Sequence, residues 1–182
     1  MFDDQAIYKP PAPDAQSPSA VGWHTDHSYW STCTSDRMLT AWIPLHDAEI
    51  RNGTLYVISG SHLWPESEHL RGFNNPDLDS IETRMGRKIA PEGIAPMILA
   101  KGQVSFHHMR AIHASAPNLA VTPRIAVAVH MQDGNNQHRR HLTPAGTEVV
   151  LPHEILCRKN ENGTPDFADP DIFPQLWPPV MA

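Results

Sequence analysis

Eighteen prolines, spread from Pro10 to Pro179, set the first limit on what this chain can become. Each fixes its own φ and lacks an amide hydrogen, so together they argue against long helices and for many short strands joined by irregular loops. Apolar runs between them give candidate strands at residues 5–9, from 21, 38–45, 54–58, 97–99, 103–107, 111–115 and 124–131. Asn52-Gly53 is a tight-turn signal ahead of the 54–58 strand. Residues 10–20 read as a Pro/Ala/Ser loop and 63–95 as the least regular stretch, with one short helix near 79–85. The tail from about residue 151 is loop-rich. This pattern predicts a mainly β fold with few short helices, a sandwich or jelly-roll barrel, in a single domain over 1–182.

The 124–131 segment predicts its own surroundings. On a strand, Ile125, Val127 and Val129 leave one face, and Arg124, Ala126, Ala128 and His130 leave the other. The small-residue face beside an arginine makes room for a bound anion inside a barrel. A guanidinium in an apolar cavity is costly unless it meets an anion, and its planar fork suits a carboxylate. An ion pair with Asp133 is the alternative. The bulky face needs a cover, so self-association into a homo-oligomer is expected through it.

A formal charge of −6 with no Lys/Arg run gives no reason to expect a nucleic-acid partner. No apolar run is long enough to cross a bilayer, and the acidic start, Met1-Phe2-Asp3-Asp4, is unlike a secretion signal. Cys33 and Cys157 build no CxxC pair or disulfide framework, which points to free thiols in a reducing cytoplasm.

The chemistry-bearing motif is Trp23-His24-Thr25-Asp26, followed 87 residues after the aspartate by His113-Ala114-Ser115-Ala116-Pro117-Asn118 and then Arg124. His24 and Asp26 are two apart, so on a strand both side chains leave one face and reach one metal. Two histidines and a carboxylate are the ligand set of the facial triad that suits non-heme Fe(II) and leaves coordination positions open. Twelve histidines make a chance H-x-D unremarkable, and His107, His108 and His130 compete with His113 for the third position.

The segments 21–30 (VGWHTDHSYW), 39–45 (LTAWIPL), Asn52-Gly53-Thr54-Leu55, Ile58-Ser59-Gly60-Ser61-His62, Phe106-His107-His108 and the run from His113 to Arg124 resemble the phytanoyl-CoA dioxygenase family of Fe(II)/2-oxoglutarate-dependent oxygenases. The likeness covers residues 5 to about 135, in order. It implies a double-stranded β-helix, a cupin-like jelly-roll barrel, with His24, Asp26 and His113 as catalytic metal ligands. By the same resemblance Arg124 binds the distal carboxylate of 2-oxoglutarate, helped by Ser115, with Trp42 lining that pocket. His113 is preferred over the other histidines because it alone has the Ser-x-x-Asn sequel and the step to an arginine. The implied reaction takes O2 and a small-molecule substrate, and releases succinate and CO2. An aspartate at position 26 implies hydroxylation rather than halogenation, since related halogenases carry a small residue there. Tyr29 and Trp30, just after the motif, are candidate substrate-binding residues. Arg71, Arg84, Arg87 and Lys88 are either anion contacts or solvated loop charges. Relatives usually carry a longer segment before residue 5, so a non-catalytic metal- or ligand-binding barrel is the alternative function.

Overall fold

The alternation along residues 124–131 organises the molecule. In the computed structural model, which describes residues 1–14, 17 and 19–178, they form the strand β8 (Arg124–Met131). Arg124, Ala126, Ala128 and His130 are buried, while Ile125, Val127 and Val129 face outward and are at least partly exposed. Numbered in chain order, the strands before it are β1 (Asp3–Lys9), β2 (Val21–His24), β3 (Leu39–Pro44), β4 (Leu55–Ile58), β5 (Ile94–Pro96), β6 (Ser105–His108) and β7 (His113–Ser115). They form two four-stranded sheets ordered β1-β8-β3-β6 and β2-β7-β4-β5, every pairing antiparallel. The predicted mainly β jelly-roll is the observed architecture.

Local sequence explains the boundaries. Pro44 ends β3, and Pro96 ends β5, an edge strand where a missing amide hydrogen breaks no ladder. Gly53 turns the chain into β4 at φ +72°, and a Cβ there would lie 2.6 Å from the Ala116 carbonyl oxygen. The predicted 79–85 helix is α1 (Ile81–Met85), closed by Gly86 in the left-handed region. The strand expected at 97–99 is displaced. Pairing with β4 occurs at Ile94–Pro96, and Leu99 makes only an isolated bridge to Ala48.

Between the sheets, Trp42, Ala48, Leu55, Ala126 and Ala128 form a core beneath Arg124. Trp23, Ile58, Leu70, Ile81, Met85, Ile112 and Ala114 seat the irregular 63–95 stretch on the second sheet. The described residues beyond 151 are loop-rich as predicted, with one short helix, α2 (Pro152–Leu156), and are packed against the rest of the fold. Cys157, Phe167 and Phe173 pack with Phe2, Trp30 and Met38 in a third core cluster. Both cysteines are buried and free, as expected. Among the described residues no helix is long and apolar enough to cross a membrane.

Candidate metal and anion site

His24 and His113 lie opposite one another on β2 and β7, so one long-range strand pairing brings two imidazoles together. The third donor arrives differently from expectation. β2 ends at His24, and Asp26 opens a short 3-10 helix, Asp26–Tyr29, instead of continuing the strand. The expected geometry survives because Thr25 keeps an extended backbone (φ −119°, ψ 144°), which leaves the two side chains on one side. One donor atom from each of His24, Asp26 and His113 lies within 4.8 Å of the others, and all three residues are buried. Asp26 Oδ1 is 3.6 Å from His113 Nε2 and 4.0 Å from His24 Nε2.

Both imidazoles are held in the form a metal needs. His24 Nδ1 lies 2.7 Å from the Gly22 carbonyl oxygen and His113 Nδ1 lies 2.9 Å from that of Ala111. A carbonyl only accepts, so Nδ1 carries the hydrogen and Nε2 offers its lone pair to the site. Burial lowers the pKa of His24, and lowers that of His113 well below the ordinary value, which keeps both rings neutral at pH 7.

The same cavity, about 340 Å³, is lined by Arg124, Ser115 and Trp42 as well as by the three donors. Its volume is that of a small-ligand site. Arg124 is 1% exposed. Its Nη2 donates to Ser115 Oγ at 3.1 Å, and its guanidinium lies 5.3 Å from the Trp42 ring centroid. Nε and Nη1 are buried with no hydrogen-bond partner. Ser115 Oγ donates to the Gly53 carbonyl at 2.7 Å, so its lone pairs face the arginine. The alternative ion pair to Asp133 is not made; that carboxylate accepts from Ser35 instead. Burial lowers Arg124 to about 10, which leaves it charged at neutral pH.

Tyr29 lines the cavity and accepts the Phe73 amide hydrogen at 3.2 Å, with Arg71 over its ring. Trp30 also lines it, but it is chiefly a packing residue, edge-on to Phe2 and to His130. Arg87 and Lys88 are engaged by Glu66 and Glu82, and Arg84 by the Trp23 and Arg71 carbonyls, so all three serve local structure. Of the competing histidines, His108 points away from the site toward His62. His107 and His130 enter the cavity beside Asp26.

Two features escaped sequence reasoning. Thr40 reaches into the site from β3, donating to Asp26 Oδ2 at 2.7 Å. Its position two residues before Trp42 put it on the same inner face, which was a readable signal. Lys9 is buried opposite Arg124, its ammonium donating to the carbonyls of Ser19, Ser115 and Ala116. Burial first, then Arg124, lowers its pKa to about 7. Nothing in the local sequence distinguishes it from a solvated strand-end lysine.

The chain is 28% identical over 169 residues, 85% of its own length, to a probable alpha-ketoglutarate-dependent hypophosphite dioxygenase of Stutzerimonas stutzeri, covering 56% of that protein. It is 27% identical over 138 residues to the peroxisomal phytanoyl-CoA dioxygenase of Bos taurus, 71% of this chain and 38% of that one. The chain thus spans about half, or less, of the length of these relatives. Among solved structures, the non-heme alpha ketoglutarate dependent carbocyclase SnoK from nogalamycin biosynthesis superposes with a TM-score of 0.57 at 23% identity, covering 75% of this chain and 50% of that one, a likeness of fold. The phytanoyl-CoA dioxygenase (PhyH) family model matches residues 1–126, and the chain belongs to that family.

Proposed function

We propose that this chain is an Fe(II)- and 2-oxoglutarate-dependent dioxygenase that hydroxylates a small organic substrate with O2, releasing succinate and CO2. One observation carries the reading: a single cavity holds three convergent metal donors and, beside them, a buried guanidinium with two unpartnered nitrogens. Ser115 sits two residues beyond His113 on β7, about 7 Å along the strand. That separation suits a short dicarboxylate with its 2-oxo acid end at the metal and its far carboxylate at Arg124.

His24, Asp26 and His113 fit Fe(II), two neutral imidazoles and one carboxylate being the facial donor set that leaves coordination sites open. Bound there with 2-oxoglutarate, the iron supplies the oxidising chemistry, coupled to decarboxylation of the cosubstrate. The chain's own residues bind and orient. Arg124 and Ser115 fix the cosubstrate carboxylate, Trp42 walls it in, and the apolar lining keeps water away. Tyr29 and Trp30 wall the side left for substrate. Asp26 fills the position a halide would need, which favours hydroxylation. The two free, buried thiols fit a reducing cytoplasm.

The test is succinate release with Fe(II), 2-oxoglutarate and a panel of candidate substrates, alongside metal binding by equilibrium dialysis. We expect one ion per chain, substrate-dependent succinate, and loss of both in Asp26→Ala. Metal binding without succinate under any substrate would replace the enzyme by a non-catalytic barrel. Less than one ion per chain would remove both.

A further inference from the structure

The two oxygens of Asp26 meet different surroundings. Oδ1 faces Nε2 of His113 and of His24. Oδ2 accepts the Thr40 hydroxyl hydrogen at 2.7 Å and lies 3.5 Å from His107 Nε2. Thr40 has one hydroxyl hydrogen, given to Asp26, so His130 Nδ1, 2.8 Å from the same hydroxyl oxygen, must be the donor to it. The three residues form a row across the inner face of one sheet: Thr40 pairs with His107 on β6 and with His130 on β8. Trp30 packs edge-on against the His130 ring at 4.8 Å and fixes its plane. His107 is 8% exposed, and its buried Nε2 makes no hydrogen bond although it faces the cavity.

We propose that Thr40, oriented by His130, and His107 hold Oδ2 of Asp26 away from the metal, so that the carboxylate gives the ion Oδ1 alone. The inference rests on His24, Asp26 and His113 being the metal donors. A carboxylate that offered the ion both oxygens would leave less room for a bound cosubstrate than one that offers Oδ1 alone. Thr40, His107 and His130 are positioning residues here, acting through Asp26. The Thr40 hydrogen bond to Oδ2, with His107 Nε2 3.5 Å from the same oxygen, competes with its swing toward the ion, and such supporting contacts to a ligand typically matter about 10–100-fold in metal affinity.

Cobalt(II) is the probe, because its visible d–d absorption changes with coordination number and needs no turnover. Wild type, Thr40→Val, His107→Leu and His107→Gln are titrated with Co(II), and the melting of each metal-free protein is recorded. Thr40→Val and His107→Leu are expected to bind about 10–100-fold more weakly, with a changed d–d band and metal-free melting close to wild type. His107→Gln, which keeps an N–H donor, should restore the wild-type band. An unchanged band in both Thr40→Val and His107→Leu overturns the proposal even if affinity falls. Failure of Gln to restore the band removes His107 from it. A wild type that binds no Co(II) refutes the donor assignment itself, a result distinct from either.

Discussion

Replacing Arg124 by methionine should weaken cosubstrate binding and stabilise the metal-free protein, two effects of opposite sign from one side chain. Nε and Nη1 are buried without partners, and among the described residues no carboxylate lies within ion-pair distance of the guanidinium. Pairing with a carboxylate supplies two charge-assisted hydrogen bonds at about 1.5–3 kcal/mol each. Their loss is about 3–6 kcal/mol, or roughly 100-fold to 10⁴-fold in affinity at about 1.4 kcal/mol per tenfold. In the ligand-free protein the same charge is uncompensated, and the Lys9 ammonium lies across from it on β1. Methionine fills the volume of the stem without the charge, which should raise stability by about 1–4 kcal/mol. For a chain of this size each kcal/mol moves the melting temperature by about 2–4 °C. Calorimetric titration of 2-oxoglutarate into the Ni(II)-loaded protein reads the first effect, and thermal melting of the metal-free protein reads the second. Metal occupancy should be unchanged. Wild-type affinity for 2-oxoglutarate, or a melting temperature well below wild type, would refute the account of Arg124 as an anion receptor.

Three further outcomes are expected. Gly22→Ala would place a Cβ 2.0 Å from the Asn75 carbonyl oxygen and 2.1 Å from that of Gly72; a loss of about 1–3 kcal/mol or more should appear in urea denaturation, and an unchanged midpoint would show that this close approach relaxes freely. Lys9 has a pKa near 7 when folded, lowered by burial and then by Arg124, against about 10.4 unfolded. Between those values the unfolded chain holds a proton the folded chain lacks, so stability should rise with pH from about 7 toward 10, and Lys9→Met should flatten that slope. The outer face of the first sheet exposes Tyr8, Leu39, Leu45, Phe106 and Ile125 together, an apolar patch of the kind that marks an interaction surface. Light scattering should show self-association at micromolar concentration, reduced in a Phe106→Lys, Ile125→Lys double variant; a clean wild-type monomer would discard the idea.

Legibility in the sequence followed the range of the interactions involved. The period-two pattern of 124–131 is local, and it foretold both the inward face and the place of Arg124. Gly53, Pro44 and Gly86 act on their own backbone, so the element ends near them were readable. The strand at 97–99 was misplaced because several adjacent short apolar segments suit an edge equally, and the choice of Ile94–Pro96 is made by β4, 36 or more residues away in the chain. His24, Asp26 and His113 were drawn together by a family likeness; spacing alone left His107, His108 and His130 in competition. Sheet register turns His108 away toward His62 but brings His107 and His130 to the same cavity, and only His113 converges with His24 and Asp26 as a three-donor set among the described residues. Lys9 is silent in sequence for the same reason, since its three acceptors come from residues 19, 115 and 116.

The opposition of His24 and His113 across β2 and β7 also bears on how long such a protein survives in a cell. No fragment ending before residue 113 owns a complete ion-binding cluster, so the nascent chain acquires it only when these remote strands have zipped. An ion captured by that late arrangement favours the folded population over every opened one, by mass action. On the proposed donor assignment, removing the ion would leave the fold more open to proteolysis, so resistance to digestion would follow metal supply.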